Sequence, residues 1–450
     1  MFNIKVNLIK GNILSSLLLF AIPIFFSNLL QQAYNTIDIM IVGKTLGEDS
    51  LAAIGATSSV YELMVGFAMG IGNGLSIVTA RNYGSGDQEL VKRSVAGTIV
   101  IGIFVTGFLM IVSQLFLFSG LELLDTPSDI IQEAYSYISI ITMFVGVLLS
   151  YNLCSGLLRA TGNSVMPLLF LLVATILNIF LDLLFIVKFD MGIKGAAIAT
   201  VIAKGVSVLL SVIYIYIKCP YLIPSKKHFT FHKKLYKDLV GQGLSMGLMM
   251  SIVFTGSLVL QKSINGMGKL VIAAHIAARK LNSFSLMPVT SIAASLSTFV
   301  SQNKGADQRK RIMKSIKYAN LLAILWGAII SCILLFAAPL MVEMISGSKE
   351  AVIIDNGSRY LMLNAPFYAV LGVLFNLRYS LQGIGEKVVP LISSIIELLG
   401  KIIFVIFLIP TLDYLGVILC EPVIWCFMCV QLLYSFYTNS YIRQNKKVNL

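Results

Sequence analysis

The chain has 450 residues, 57% of them hydrophobic and only 12% charged, with a mean hydropathy of +0.87. So little polar surface excludes a soluble globule of this length and points to an integral membrane protein. A formal charge of +13 invites a nucleic-acid reading. The basic residues instead fall in alternate loops, so no nucleic-acid partner is expected.

Apolar stretches of about 20 residues or more, each able to cross a hydrocarbon core about 30 Å thick, recur along the whole chain. They predict twelve spans near 14–42, 51–80, 94–118, 131–158, 164–187, 195–217, 239–264, 271–301, 315–338, 353–380, 388–409 and 414–439. Continuous apolarity without strand-like alternation selects helices over a barrel. No loop is long enough to hold a soluble domain.

The first span follows Lys5 and Lys10, but its apolar run passes Pro23 into Asn28, Gln31 and Gln32 without a small-residue cleavage site. It is expected to be an uncleaved helix. Pro23 removes a backbone hydrogen bond inside it and marks a hinge. Asp38 in this span and Asp182 in the fifth lie deep in apolar sequence. A carboxylate at the centre of a membrane helix costs about 2.5–3.5 kcal/mol on insertion scales, so an ion or proton path is the default reading.

Glu62 in the second span either attracts cationic compounds or caps a buried network, and Gly70, Gly72 and Gly74 in the same span serve helix packing rather than phosphate binding. After the third span come Glu122, Asp125 and Asp129 with no basic neighbour. Lys226, Lys227, Lys233, Lys234 and Lys237 separate the sixth and seventh spans. Arg309, Lys310, Arg311, Lys314 and Lys317 separate the eighth and ninth, and Arg443, Lys446 and Lys447 close the chain. The positive-inside rule then places both termini and the central loop in the cytoplasm, with the chain in the cell membrane. Cys426 and Cys429 form a C-x-x-C inside a span, where small apolar packing residues are the expected role.

Other charges inside spans have mixed readings. Glu397 and Lys401, one turn apart in the eleventh span, are expected to pair. Arg279 and Lys280 in the eighth, Lys204 in the sixth and Glu421 in the twelfth are candidates to line a cavity, Lys280 and Glu421 foremost. Arg279 is read as the only arginine well inside a span. His275 lacks a second ligand and is expected to be structural.

The chain repeats itself. A shift of 221 positions matches Gly47, Ala52, Ala53, Asn82, Gly84 and Ser94 with Gly268, Ala273, Ala274, Asn303, Gly305 and Ser315. With two extra residues, Gly162 and Pro167 meet Gly385 and Pro390, after which Gly195 meets Gly416. Residues 1–217 and 239–450 are therefore two six-helix lobes joined by a loop at 218–238. Six crossings return a chain to its starting side, so the repeats are parallel, the plan of rocking transporters with substrate between the lobes.

The repeat is also a control on the acids. Asp38 corresponds to Val259, and Asp182 to Ile403 or Val405 depending on where the slip falls. Neither acid is demanded by shared architecture. Tyr34 and Asn178, each one turn before an acid, share its helix face, and Thr200 offers another oxygen. Two carboxylates with these oxygens make either a hard-cation cage or a proton-exchanging site. A hydrogen-bond network that serves only packing is the blander alternative.

The Q-A-Y-N-T-I-D-I-M-I-V-G segment at 32–43, the L-A-A-I-G turn at 51–55, the N-Y-G-S-G-D loop at 82–87 and the paired R-A-T-G and Q-G-I-G turns resemble the multidrug and toxic compound extrusion (MATE) family, DinF-like branch. The resemblance implies an all-α membrane protein of twelve helices in two parallel repeats, with V-shaped lobes around a central cavity. It further implies a cation site in the first lobe at Asp38, Tyr34, Asn178, Asp182 and Thr200, with Asn152 as a weaker addition. Sodium, if it is the ion, would lie at Asp38, Asn178, Asp182 and Thr200. The NorM-like branch places acids in the seventh and tenth helices; here the seventh span has none and the tenth only Asp355, at its outer end.

The function expected is a secondary antiporter, not an enzyme. It would couple inward H+ or Na+ to export of amphipathic, often cationic, compounds, acting as a monomer in the bilayer without another cofactor. No G-x-x-x-x-G-K-[ST] segment suggests ATP use. The runner-up is a flippase for lipid-linked saccharides, which favours more cavity arginines. An intramembrane prenyltransferase would need a second aspartate-rich cluster.

Overall fold

A computed structural model describes residues 5–124 and 126–443; Asp125, Lys446 and Lys447 lie outside the described residues. Every regular element among them is helical. In chain order they are α1 (Ile13–Leu46), α2 (Glu48–Gly84), α3 (Gln88–Leu123), α4 (Ile131–Met143), α5 (Val145–Ala160), α6 (Val165–Asp182), α7 (Gly192–Lys218) and α8 (Lys233–Asn265). There follow α9 (Lys269–Gly305), α10 (Arg309–Ser346), α11 (Ala351–Asn364), α12 (Tyr368–Gly383), α13 (Val388–Ile403), α14 (Ile409–Leu412), α15 (Tyr414–Thr438) and α16 (Ser440–Arg443). Eleven spans among the described residues are long and apolar enough to cross a membrane, and twelve when α4 and α5 count as one.

The fourth predicted span is therefore not a single helix: α4 and α5 are bent by 47°. Its counterpart breaks at the same place. Phe144 precedes α5 and Phe367 precedes α12, 223 residues apart, and a 3-10 turn at Ala365–Phe367 carries Pro366. Proline explains the second break, because it cannot donate to the preceding turn; Phe144 gives no such signal. The fifth and eleventh spans also share a device, a π-helical turn at Leu183–Lys188 after α6 and at Phe404–Leu408 after α13.

Matched corners carry the repeat further than side chains do. Positive φ recurs at Gly47 and Gly268, Gly86 and Asp307, Gly162 and Gly385, and Asp190 and Asp413. Buried residues then set the register. Pro167, Phe170, Leu171, Ala174 and Asn178 in α6 match Pro390, Ser393, Ser394, Glu397 and Lys401 in α13, all 223 apart. The shift returns to 221 only after Asp190 and Asp413, before Gly195 and Gly416. Asp182 thus corresponds to Val405.

The described residues divide into two compact units, those of 5–11, 19–250 and 301–307 in the first and those of 12–18, 251–300 and 308–443 in the second. In unit 1, α2 runs through the middle and its glycines set how closely others approach. A Cβ on Gly70 or Gly74 would collide with the backbone of α8 at Met246 or Gln242, and one on Gly72 would meet Asn152 on α5. This agrees with the packing role expected of the three. Near the end of α2 the chain crosses residues 301–307, where Gly84 and Gly305 leave no room for a side chain. Ser301 donates to Ile77 O (2.6 Å), Gln302 to Ala160 O (2.7 Å) and Asn303 to Leu8 O (3.0 Å). The connector folds onto α3 through buried Leu222 and through His228, whose Nε2 lies 3.0 Å from Glu89.

Unit 2 is built on α10 against α11 and α12, and on α13 against α15, with large buried rings at Tyr360 and Tyr368. Gly372 lies against Ala323 and Gly400 against Ile424, the small-residue contacts by which membrane helices approach closely.

Candidate cation site

In unit 1, α1 brings Tyr34 and Asp38 to the site, α6 brings Asn178 and Asp182, and α7 brings Thr200. The helical spacing of four residues stacks each pair on one face. All five are buried, Asp182 completely. The carboxyl groups of Asp38 and Asp182 reach hydrogen-bonding distance of one another. Among the described residues, both oxygens of Asp182, Oδ1 of Asp38 and both amide atoms of Asn178 have no hydrogen-bond partner. Two facing carboxylates are acceptors only when ionised, so the pair is satisfied by a proton or a metal cation shared between them. The Tyr34 hydroxyl donates to Thr200 Oγ1 at 3.2 Å, which fixes both oxygens beside the acids.

A small cavity of about 130 Å³ opens on this group, lined by Tyr34, Asp38, Thr57, Ser58, Tyr61, Glu62, Tyr137 and Thr200 among others. Glu62 thus shares this cavity with Asp38, on an exposed part of α2. Asn152 is placed elsewhere: its amide donates to Leu148 O at 2.9 Å and its Cβ lies against Gly72, so it does not line this cavity. Pro23 sits inside an α1 that continues through it, with Ser27 Oγ donating to the Pro23 carbonyl at 2.8 Å.

Two contributors escaped the sequence. Tyr61 and Tyr137 reach the acids from α2 and α4, and no local pattern links them to Asp38. Lys204, a candidate to line a cavity, follows Thr200 by one turn. It is buried, donates to Gln31 Oε1 at 3.0 Å and lies over the Tyr34 and Tyr151 rings at 5.1 and 4.6 Å. It therefore packs beneath the site rather than lining an open cavity.

The expected Glu397 and Lys401 pair is present in unit 2 at 3.0 Å. Glu421 is buried in a contact with Arg279 at 2.7 Å and accepts from the Tyr360 hydroxyl at 2.9 Å, whereas Lys280 on the next position of α9 is exposed. His275 lies 3.3 Å from the Tyr414 hydroxyl with its ring edge-on to Tyr360. Arg279 is not the only arginine inside a span: Arg378 is buried in α12, inside the tenth, with Glu397 3.9 Å away.

The profile of the MatE family matches residues 23–184 and again 246–407. Two Bacillus subtilis proteins are similar over most of their length. The probable multidrug resistance protein YpnP is 28% identical over 399 residues, 86% of each chain. The probable multidrug resistance protein YoeA is 26% identical over 438 residues, 95% of this chain and 94% of its own. Among solved structures, a MATE protein in its bent conformation superposes with a TM-score of 0.89 at 21% identity, covering 98% of both chains.

Proposed function

The chain belongs to the MatE family of membrane transporters, and from that premise we propose that it exports amphipathic compounds by exchanging them for inward-moving H+ or Na+ at the unit 1 acid pair. Relatives called probable multidrug resistance proteins support the substrate class. The observation that carries the coupling is the contact of Asp38 with Asp182, buried together with no other donor to either carboxylate among the described residues.

One cation per pair is the natural load. A proton bridges the two carboxylates directly, and a sodium ion finds hard oxygens from Asp38, Asp182, Asn178 and Thr200. Loading removes repulsion across the α1 to α6 contact; release restores it. Asp38 lies 15 residues beyond Pro23 on the same helix, about 22 Å along its axis, so the load acts on the helix whose backbone ladder Pro23 interrupts. The site composition matches the DinF-like branch. In this reading residues 1–217 form the cation-bearing lobe and 239–450 the second lobe, and the connector at 218–238 and both termini face the cytoplasm.

The test is transport by purified protein in liposomes, with a proton or a sodium gradient imposed one at a time and ethidium as an amphipathic cationic probe. Uphill movement driven by one of the two supports the reading. Movement that only equilibrates the dye under both gradients overturns it.

A further inference from the structure

The repeat register places four residues around the unit 1 acids in correspondence with four charged or polar residues of unit 2. Ser58 and Thr200, shifted by 221, fall on Arg279 and Glu421; Tyr137 and Asn178, shifted by 223, fall on Tyr360 and Lys401. The acids themselves fall on Val259 and Val405. The positions that surround the carboxylate pair in one unit thus hold two cations and a carboxylate in the other, while the pair's own counterparts are valines.

Within unit 2 these residues touch. Arg279 contacts Glu421 at 2.7 Å, Glu421 lies 3.9 Å from Lys401, Lys401 contacts Glu397 at 3.0 Å, and Glu397 lies 3.9 Å from Arg378. The signs alternate along the chain of contacts and a cation stands at each end. Three cations against two carboxylates leave one positive charge uncompensated inside the helical bundle, where a lone charge is costly. The two end cations differ in access. Arg378, with its side chain 5% exposed, has Nε and Nη2 that donate to nothing among the described residues. At the other end the Arg279 side chain is 39% exposed, so a ligand can approach this cation and not Arg378.

We propose that unit 2 carries an anion-binding point in the region that corresponds to the cation site's surroundings, at which Arg279 engages the carboxylate of an amphipathic zwitterionic substrate. Approach of the carboxylate neutralises the surplus charge, and Glu421 keeps the guanidinium oriented from behind. The inference rests on the export reading for its substrate class. It adds that a molecule bearing both signs is preferred to a simple cation.

The full-length protein in detergent is titrated, by fluorescence polarisation and without any ion gradient, with a rhodamine bearing a free carboxylate and with the ethyl ester of the same dye. The parent protein should bind the acid more tightly than the ester. Arg279→Gln should weaken the acid about tenfold or more, the worth of a charge-assisted hydrogen bond, and leave the ester within about twofold. Arg279→Lys should retain part of the preference. Glu421→Gln, which raises the surplus charge, should shift preference further toward the acid and so separates a charge effect from a folding defect. A parent with no preference for the acid, absence of acid binding included, or a preference that survives Arg279→Gln overturns the proposal. Failure of ion coupling alone shows in the liposome experiment and leaves this binding result untouched.

Discussion

Replacing Asp182 by Asn removes one of two carboxylates that share a single cation, and the size of the loss follows from that stoichiometry. One monovalent ion moving down 100 mV supplies about 2.3 kcal/mol. A tenfold concentration gradient adds about 1.4 kcal/mol. For a substrate without net charge, the combined drive supports a steady-state gradient of about 500-fold, since each 1.4 kcal/mol is a factor of ten. The Asn variant leaves Asp38 facing an amide, loses the site that the two carboxylates share, and should settle at about onefold, with dye merely equilibrated. Its thermal midpoint in detergent should match or exceed that of the parent, because a buried amide costs less than a buried carboxylate without a donor. Asp38→Asn should behave alike. The assay is the plateau of a zwitterionic dye in liposomes rather than its initial rate, so that a slow carrier is not mistaken for an uncoupled one. If both variants hold the parent's plateau, the acid pair is not the coupling site and Glu62, Glu397 or Glu421 takes its place.

Thr200→Val removes the acceptor of the Tyr34 hydroxyl and should lower thermal stability by about 1–3 kcal/mol while weakening ion dependence less than either acid variant; a plateau as low as that of Asp182→Asn would contradict this ranking. Lys401→Gln leaves Glu397 without its 3.0 Å partner and should cost about 3–5 kcal/mol, with much of the loss restored in the Glu397→Gln double variant; additive losses in chemical denaturation would show the two are not coupled. Gly74→Leu should prevent stable folding because its Cβ meets the Gln242 backbone, whereas Gly55→Ala, with nothing within 4 Å, should be neutral or gain up to about 1 kcal/mol; equal effects in a melting assay would remove the packing argument.

The residues that were legible in sequence are those whose signal is local. Asp38 and Asp182 stand out because a carboxylate in an apolar run is rare, and Tyr34 and Asn178 follow from helical spacing. Glu397 with Lys401 is legible for the same reason. Arg279 with Glu421 is not, because the partners are 142 residues apart and meet only through packing of α9 against α15. The break before α12 is written as Pro366, but its twin at Phe144 depends on tertiary contacts. Likewise the register that assigns Asp182 to Val405 came from which faces of α6 and α13 are buried, since hydropathy in both helices is too uniform to place a two-residue slip.

The alternating charges of unit 2 also bear on how the protein is made. Arg279 leaves the ribosome 142 residues before Glu421, an interval of about 7–30 s at ordinary elongation rates. Until α15 arrives, α9 holds a guanidinium inside a nascent membrane segment with no carboxylate to meet it, and α13 then adds both signs at once. The last long helix therefore completes the second unit electrically as well as sterically. A chain ending before residue 414 would leave Arg279 without the carboxylate that pairs with it, the kind of defect by which membrane quality control recognises an unfinished protein.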